Sequence, residues 1–125
     1  MKSEASILIV AKPTRIRDGL RTLLRANPLI DDVVQADNVA AALQIVKDQP
    51  PAFIVLDTSL VDDQVELIIN QAKVKSAKIR CIVLADNARR QQLAWTNGAD
   101  EVLLAGFSTA NLFAAIEKLL VPCSS

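Results

Sequence analysis

The sequence predicts an α/β domain built on a five-stranded parallel sheet, and two of its patterns lead there. Short runs of Val, Ile and Leu recur along the chain, mostly continuous rather than alternating, as in strands covered on both faces. Between them lie stretches in which apolar residues return every three or four positions. That is the period of a helix with one buried face.

Taken in order, the strand-like runs are Ile7–Val10, Val33–Val34, Phe53–Leu56, Cys81–Leu84 and Val102–Leu104. Val33–Val34 is the shortest and should lie nearest an edge. The first helix follows Pro13, a residue suited to a helix start, and aligns Ile16, Leu20, Leu23 and Leu24. The second aligns Val39, Ala42, Leu43 and Val46 and must stop before Pro50 and Pro51. The third offers Val65, Ile68, Ile69 and Ala72, with Asp63 and Glu66 spaced as a capping box. The fourth spans about Ala88–Asn97 and ends at Gly98, which can take the left-handed position after a helix. The fifth begins after Ser108 and lines up Leu112, Ile116, Leu119 and Leu120.

The whole chain, 1–125 with a core over about 6–120, reads as one domain without a linker or repeat. Apolar residues make up 51% of it, enough for a real core, and 14 basic residues balance 14 acidic ones. A balanced charge gives no footing for nucleic-acid binding, which asks for a basic face. No apolar run reaches the roughly 20 residues of a membrane span, and the first residues lack a signal-peptide layout. A cytoplasmic protein without membrane association is expected. Cys81 and Cys123 are then expected to stay reduced, the first as a buried thiol and the second as a tail residue. With no histidine in the chain, imidazole catalysis and histidine metal sites are excluded.

In a parallel sheet, ligands and chemistry gather beyond the carboxyl ends of the strands, near the point where strand order reverses. That rule selects Ala11, Lys12 and Pro13 after strand one, and Asp57 and Thr58 after strand three. It adds Ala85 and Asp86 after strand four and Ala105 after strand five.

At these same positions the chain resembles a known family. ILIVAKPTRIRDGLRTLL looks like the opening of a response-regulator receiver domain, FIVLDTSL like its phosphoacceptor strand, and NGADEVLLAGFSTANLFAAI like its last strand and helix. The likeness runs over about Ile7–Leu120 and is greatest to receivers of regulators with a C-terminal helix-turn-helix. It implies the CheY-like, flavodoxin-like three-layer sandwich of strand order 2-1-3-4-5 with five helices. It also implies that Asp57 is the equivalent of the aspartate that takes the phosphoryl group.

Against that pattern the departures are pronounced. The acidic pair that holds magnesium in the family is replaced by Ala11 and Lys12. The hydroxyl residue after strand four is Ala85, the lysine after strand five is Ala105, and the aromatic switch residue is Val102. The loop from strand four into helix four is also short. Of the family's site residues, Asp57 is the one kept. Magnesium holds to hard oxygens, typically one or two carboxylates with waters, so its binding should be weak or absent. Phosphoryl transfer depends on positioning and on neutralising the transferred oxygens, so Asp57 should be phosphorylated poorly.

Lys12 either pairs with Asp57 in place of a metal or points into water. Asp62 and Asp63 read as helix-capping residues and Asp86 as a turn residue, rather than as substitute ligands. Trp95 reads first as a core residue, with an interface role as the alternative. Phe107 and Phe113 read as core residues. The resemblance places Arg89, Arg90 and Trp95 on the surface that receivers use for dimerisation and output, although the arginines equally suit a solvated face.

The reading that results is a degenerate pseudo-receiver of two-component phosphorelay signalling, not an enzyme, acting by protein–protein contact. Its partner would be a histidine kinase, an output domain or a second copy of itself. The alternative is a working receiver phosphorylated on Asp57 by a histidine kinase. A third reading, a flavin or nucleotide binder, has little support: AKPTRIRDG offers few backbone donors for a phosphate, and the chain has no tyrosine to stack on a flavin.

Overall fold

The computed structural model describes residues 6–11, 15–26, 30, 32–58, 64–104 and 106–120. Five strands and five helices alternate among them. The strands are β1 (Ser6–Val10), β2 (Asp32–Ala36), β3 (Phe53–Asp57), β4 (Arg80–Ala85) and β5 (Glu101–Leu104). The helices are α1 (Arg15–Arg25), α2 (Val39–Asp48), α3 (Val65–Lys75), α4 (Ala88–Thr96) and α5 (Thr109–Leu120).

All strand pairs are parallel and the order is β2-β1-β3-β4-β5, so β2 is an edge strand as its short apolar run suggested. Successive side chains of a strand point to opposite faces, and that alternation splits the core in two. Leu8, Val10, Ile54, Leu56, Cys81 and Val83 face one side, where Ala42 and Val46 of α2, Ile68 and Ala72 of α3, and Ala94 of α4 cover them. Ile7, Ile9, Phe53, Val55, Ile82 and Leu84 face the other, beneath Leu20 and Leu24 of α1 and Leu112 and Ile116 of α5. The result is a three-layer sandwich.

The helix stripes expected from spacing are the ones that pack. Leu23, Val39, Leu43 and Leu119 sit at the margins, half-buried, while the side chains of Ile16 and Leu120 lie outside the described residues. Phe107 and Phe113 are half-buried against the α1/α5 layer.

Trp95 corrects one expectation. Its side chain remains 45% exposed, because Ala94 occupies the inward position of α4 and the next residue lies about 100° around the helix.

Helix starts are set by side-chain caps. Asn38 accepts from Ala41 N at 2.7 Å and Asn87 from Arg90 N at 2.9 Å, both from extended backbone. At α5 the cap is reciprocal. Ser108 Oγ accepts from Asn111 N, and Asn111 Oδ1 accepts from Ser108 N, each at 3.1 Å. The capping box expected from Asp63 falls outside the described residues, as does Asp62. Gly98 takes φ +103° after α4, a conformation that side chains with a Cβ avoid, and so turns the chain into β5.

Candidate functional site

The register fixes which residues share the carboxyl edge of the sheet. Val10 pairs with Leu56, and Asp57 with Leu84, so Ala11, Asp57 and Leu84 stand level. Ala85 stands one step further out, paired with Leu104. Asp57 is the last residue of β3, at the switch point where the chain leaves β1 for β2 on one side and neighbours β3 on the other. It is half-buried, while Ala11 and Ala85 are each 2% exposed and present methyl groups. Ala11 also extends the ladder, its N–H donating to Ala36 O at 3.1 Å. Val102 is buried among the residues of the α2/α3/α4 layer. Lys12, Pro13 and Ala105 lie outside the described residues, so the Lys12–Asp57 pairing does too.

Beside Asp57 the structure builds a polar clasp that spacing did not anticipate. Thr58, 2% exposed, is the buried polar residue of the described set. Its Oγ1 donates towards Leu84 O at 3.2 Å and Asp86 Oδ1 at 3.1 Å. Arg90 Nη1 donates to Thr58 O at 2.9 Å and lies 3.5 Å from Asp86 Oδ1. One cation thus joins the end of β3 to the two-residue connection between β4 and α4. Asp86 is a turn residue, as its position suggested, but its carboxylate also serves this clasp. Arg90 reaches back onto the sheet edge, whereas Arg89 and Trp95 are exposed. The signal in the sequence was the four-residue spacing of Asp86 and Arg90, which puts them on one face of the helix start.

A second network holds the opposite edge. Asp100 accepts from Cys81 N at 2.7 Å and from Lys73 Nζ at 2.7 Å, with Arg80 Nη1 at 3.5 Å. Lys73 also donates to Ile79 O at 2.6 Å, which ties α3 to the start of β4. Burial pushes the neighbouring Cys81 thiol up to about 12; Asp100 adds to this and the charge of Lys73 opposes it. A thiol so protonated is neither a nucleophile nor a ready metal ligand. Among the described residues no three Cys, Asp or Glu side chains gather as a metal site would require.

No family model matches this sequence, and no curated protein does. Solved structures do. A two-component response regulator of the LuxR family from Aurantimonas superposes with a TM-score of 0.81 at 22% identity, over 94% of this chain and 86% of that one. A CheY-like response regulator receiver domain protein from Methanospirillum hungatei gives 0.81 at 19%, over 94% of both chains. This chain has the response-regulator receiver fold. A receiver-modulated diguanylate cyclase from Pelobacter carbinolicus is similar at TM-score 0.75 and 25% identity, over 93% and 92% of the two chains. In this fold Asp57 closes β3 at the carboxyl edge of the sheet, level with Ala11 and Leu84. No described helix is long and apolar enough to cross a membrane.

Proposed function

We propose that this chain is a degenerate receiver, a non-enzymatic signalling module that works by binding another protein and takes a phosphoryl group on Asp57 poorly. The observation that carries this reading is that two positions beside Asp57 at the carboxyl edge hold buried methyl groups. Ala11 stands level with it and Ala85 one step away, where a phosphorylated site needs carboxylates for a metal and a hydroxyl for the phosphoryl oxygens.

Magnesium does not fit the described donors. Asp57 brings one carboxylate, and the nearby carboxylate of Asp86 is already engaged by Thr58 and Arg90. Losing a single preorganised donor costs about 3–4 kcal/mol in other catalytic sites, so the loss of a metal and two donors is severe even though such losses do not add. The Thr58–Asp86–Arg90 clasp supports the same reading, because it ties the connection between β4 and α4 to Thr58 and already engages the Asp86 carboxylate. The exposed Arg89 and Trp95 on α4 are the residues we assign to partner contact, with a signalling protein or a second copy as partner.

Incubation with a small phosphodonor and magnesium, followed by intact mass, tests the proposal. The unmodified mass is expected. A stoichiometric phosphoryl adduct that disappears in Asp57→Asn would establish the working phosphoacceptor instead.

A further inference from the structure

We propose that the groove between α2 and α3 docks an amphipathic helix of a partner protein, with apolar anchors seated between the two helices and an acidic end set against Lys47 and Lys75. The groove opens about 330 Å³, and Ala40, Leu43, Val46 and Val74 supply its apolar lining. Val74 is 82% exposed, the most exposed large apolar side chain of the described set. A single exposed valine is ordinary on a protein surface. This one stands on the ridge Leu67–Gln71–Val74, spaced at i, i+4 and i+7 along α3, and Leu67 on that ridge is itself 40% exposed. Across the groove, Ala40, Leu43 and Lys47 stand at i, i+3 and i+7 along α2. Two parallel ridges with an apolar floor suit a third helix presenting residues at those intervals.

Charge supplies the choice of partner. All strands are parallel, so α2 and α3 run in the same direction on one face of the sheet, and their last turns lie at the same end of the groove. Lys47 is in the last turn of α2 and Lys75 in that of α3, both exposed and both lining the groove, with no carboxylate among its lining residues. Asp48, the nearest acid in sequence, accepts from Gln44 Nε2 at 2.6 Å and does not line the groove. Lys73 is turned away onto Asp100. The lining of the groove therefore carries two lysines and no carboxylate, although the whole chain is neutral. Carboxylates at one end of the incoming helix would meet the lysines and fix its direction, while the apolar anchors supply most of the affinity.

The test uses the full chain, labelled with ¹⁵N, and a capped helical peptide of about 14 residues carrying Leu at i, i+4 and i+7 and three Glu at one end. Backbone shifts are expected to move along α2 and α3, weakly at high salt and strongly at low salt. Val74→Asp should weaken binding roughly tenfold. In the double variant Lys47→Glu, Lys75→Glu, preference should pass to the same peptide with Lys in place of Glu. All three positions are solvent-exposed, so unchanged spectra elsewhere certify the fold. Shifts absent from α2 and α3, or equal binding of acidic and basic peptides, would overturn the proposal. So would shifts on these helices that follow chain concentration without peptide, since the occupant would then be a second copy.

Discussion

Thr58 has one hydroxyl proton and two acceptors within reach, Leu84 O and Asp86 Oδ1, in a place almost closed to water. A buried hydroxyl stabilises only while it is hydrogen-bonded, and here the bond spans neighbouring strands. Thr58→Val keeps the shape and removes the proton. It should lower stability by about 1 kcal/mol, seen as a reduced urea midpoint at an unchanged slope.

Cys81 offers a second residue-level test through its proton. Its thiol rises from 9.0 to about 12 in the folded chain, first through burial. Below pH 9 both folded and unfolded thiols are protonated and the shift has no effect. Above it the unfolded chain releases the proton that the folded chain keeps, so the protonated fold loses ground as pH climbs towards 12. The stability difference between the native chain and Cys81→Ala, measured by urea unfolding, should be flat below pH 9 and fall steadily above it. A flat difference up to pH 11 would mean that Cys81 is reached by solvent.

At the scale of elements, what the sequence states plainly is periodicity. Continuous apolar runs marked every strand, and three- and four-residue spacing marked the packed faces of α2, α3 and α5, because burial on two sides or on one stripe leaves no other pattern. Side-chain partners across the sheet were not legible. Asp100 looks like a loop acid in sequence, yet register brings it to Cys81 N and Lys73. Arg90 looks like one of a solvated pair, yet the turn before α4 aims it at Thr58. Trp95 shows the limit of residue type as a guide, since helix geometry gave the inward place to Ala94. The caps are a fairer case, because Ser108 and Asn111 declare themselves by spacing. Ser108→Ala should cost about 1 kcal/mol, with the α5 amides exchanging faster than those of β3 in hydrogen exchange.

For the whole molecule, the sheet order and the place of Asp57 at the switch point agree with the receiver fold, and the resemblance anticipated both. Under the proposed reading, the chain keeps a buried, well-packed scaffold while its phosphorylation chemistry lapses. The core rests on residues such as Leu8, Ile54 and Ile82, none of which touches solvent. The chemistry rests on a handful of polar side chains at one edge, and those are free to change without loss of the fold. Under that reading signalling depends on surfaces, and the two we propose are the exposed Trp95 and the α2/α3 groove.

The proposed function stands on the replacement of the family's acidic pair by Ala11 and Lys12, and a magnesium titration followed at the Asp57 amide by NMR tests it most directly. Lys12→Asp combined with Ala11→Asp, which restores an acidic pair, serves as the positive control. Across the millimolar range the native chain should show no saturable shift at Asp57, while the restored chain should. Saturable binding at Asp57 in the native chain, abolished by Asp57→Asn, would contradict it.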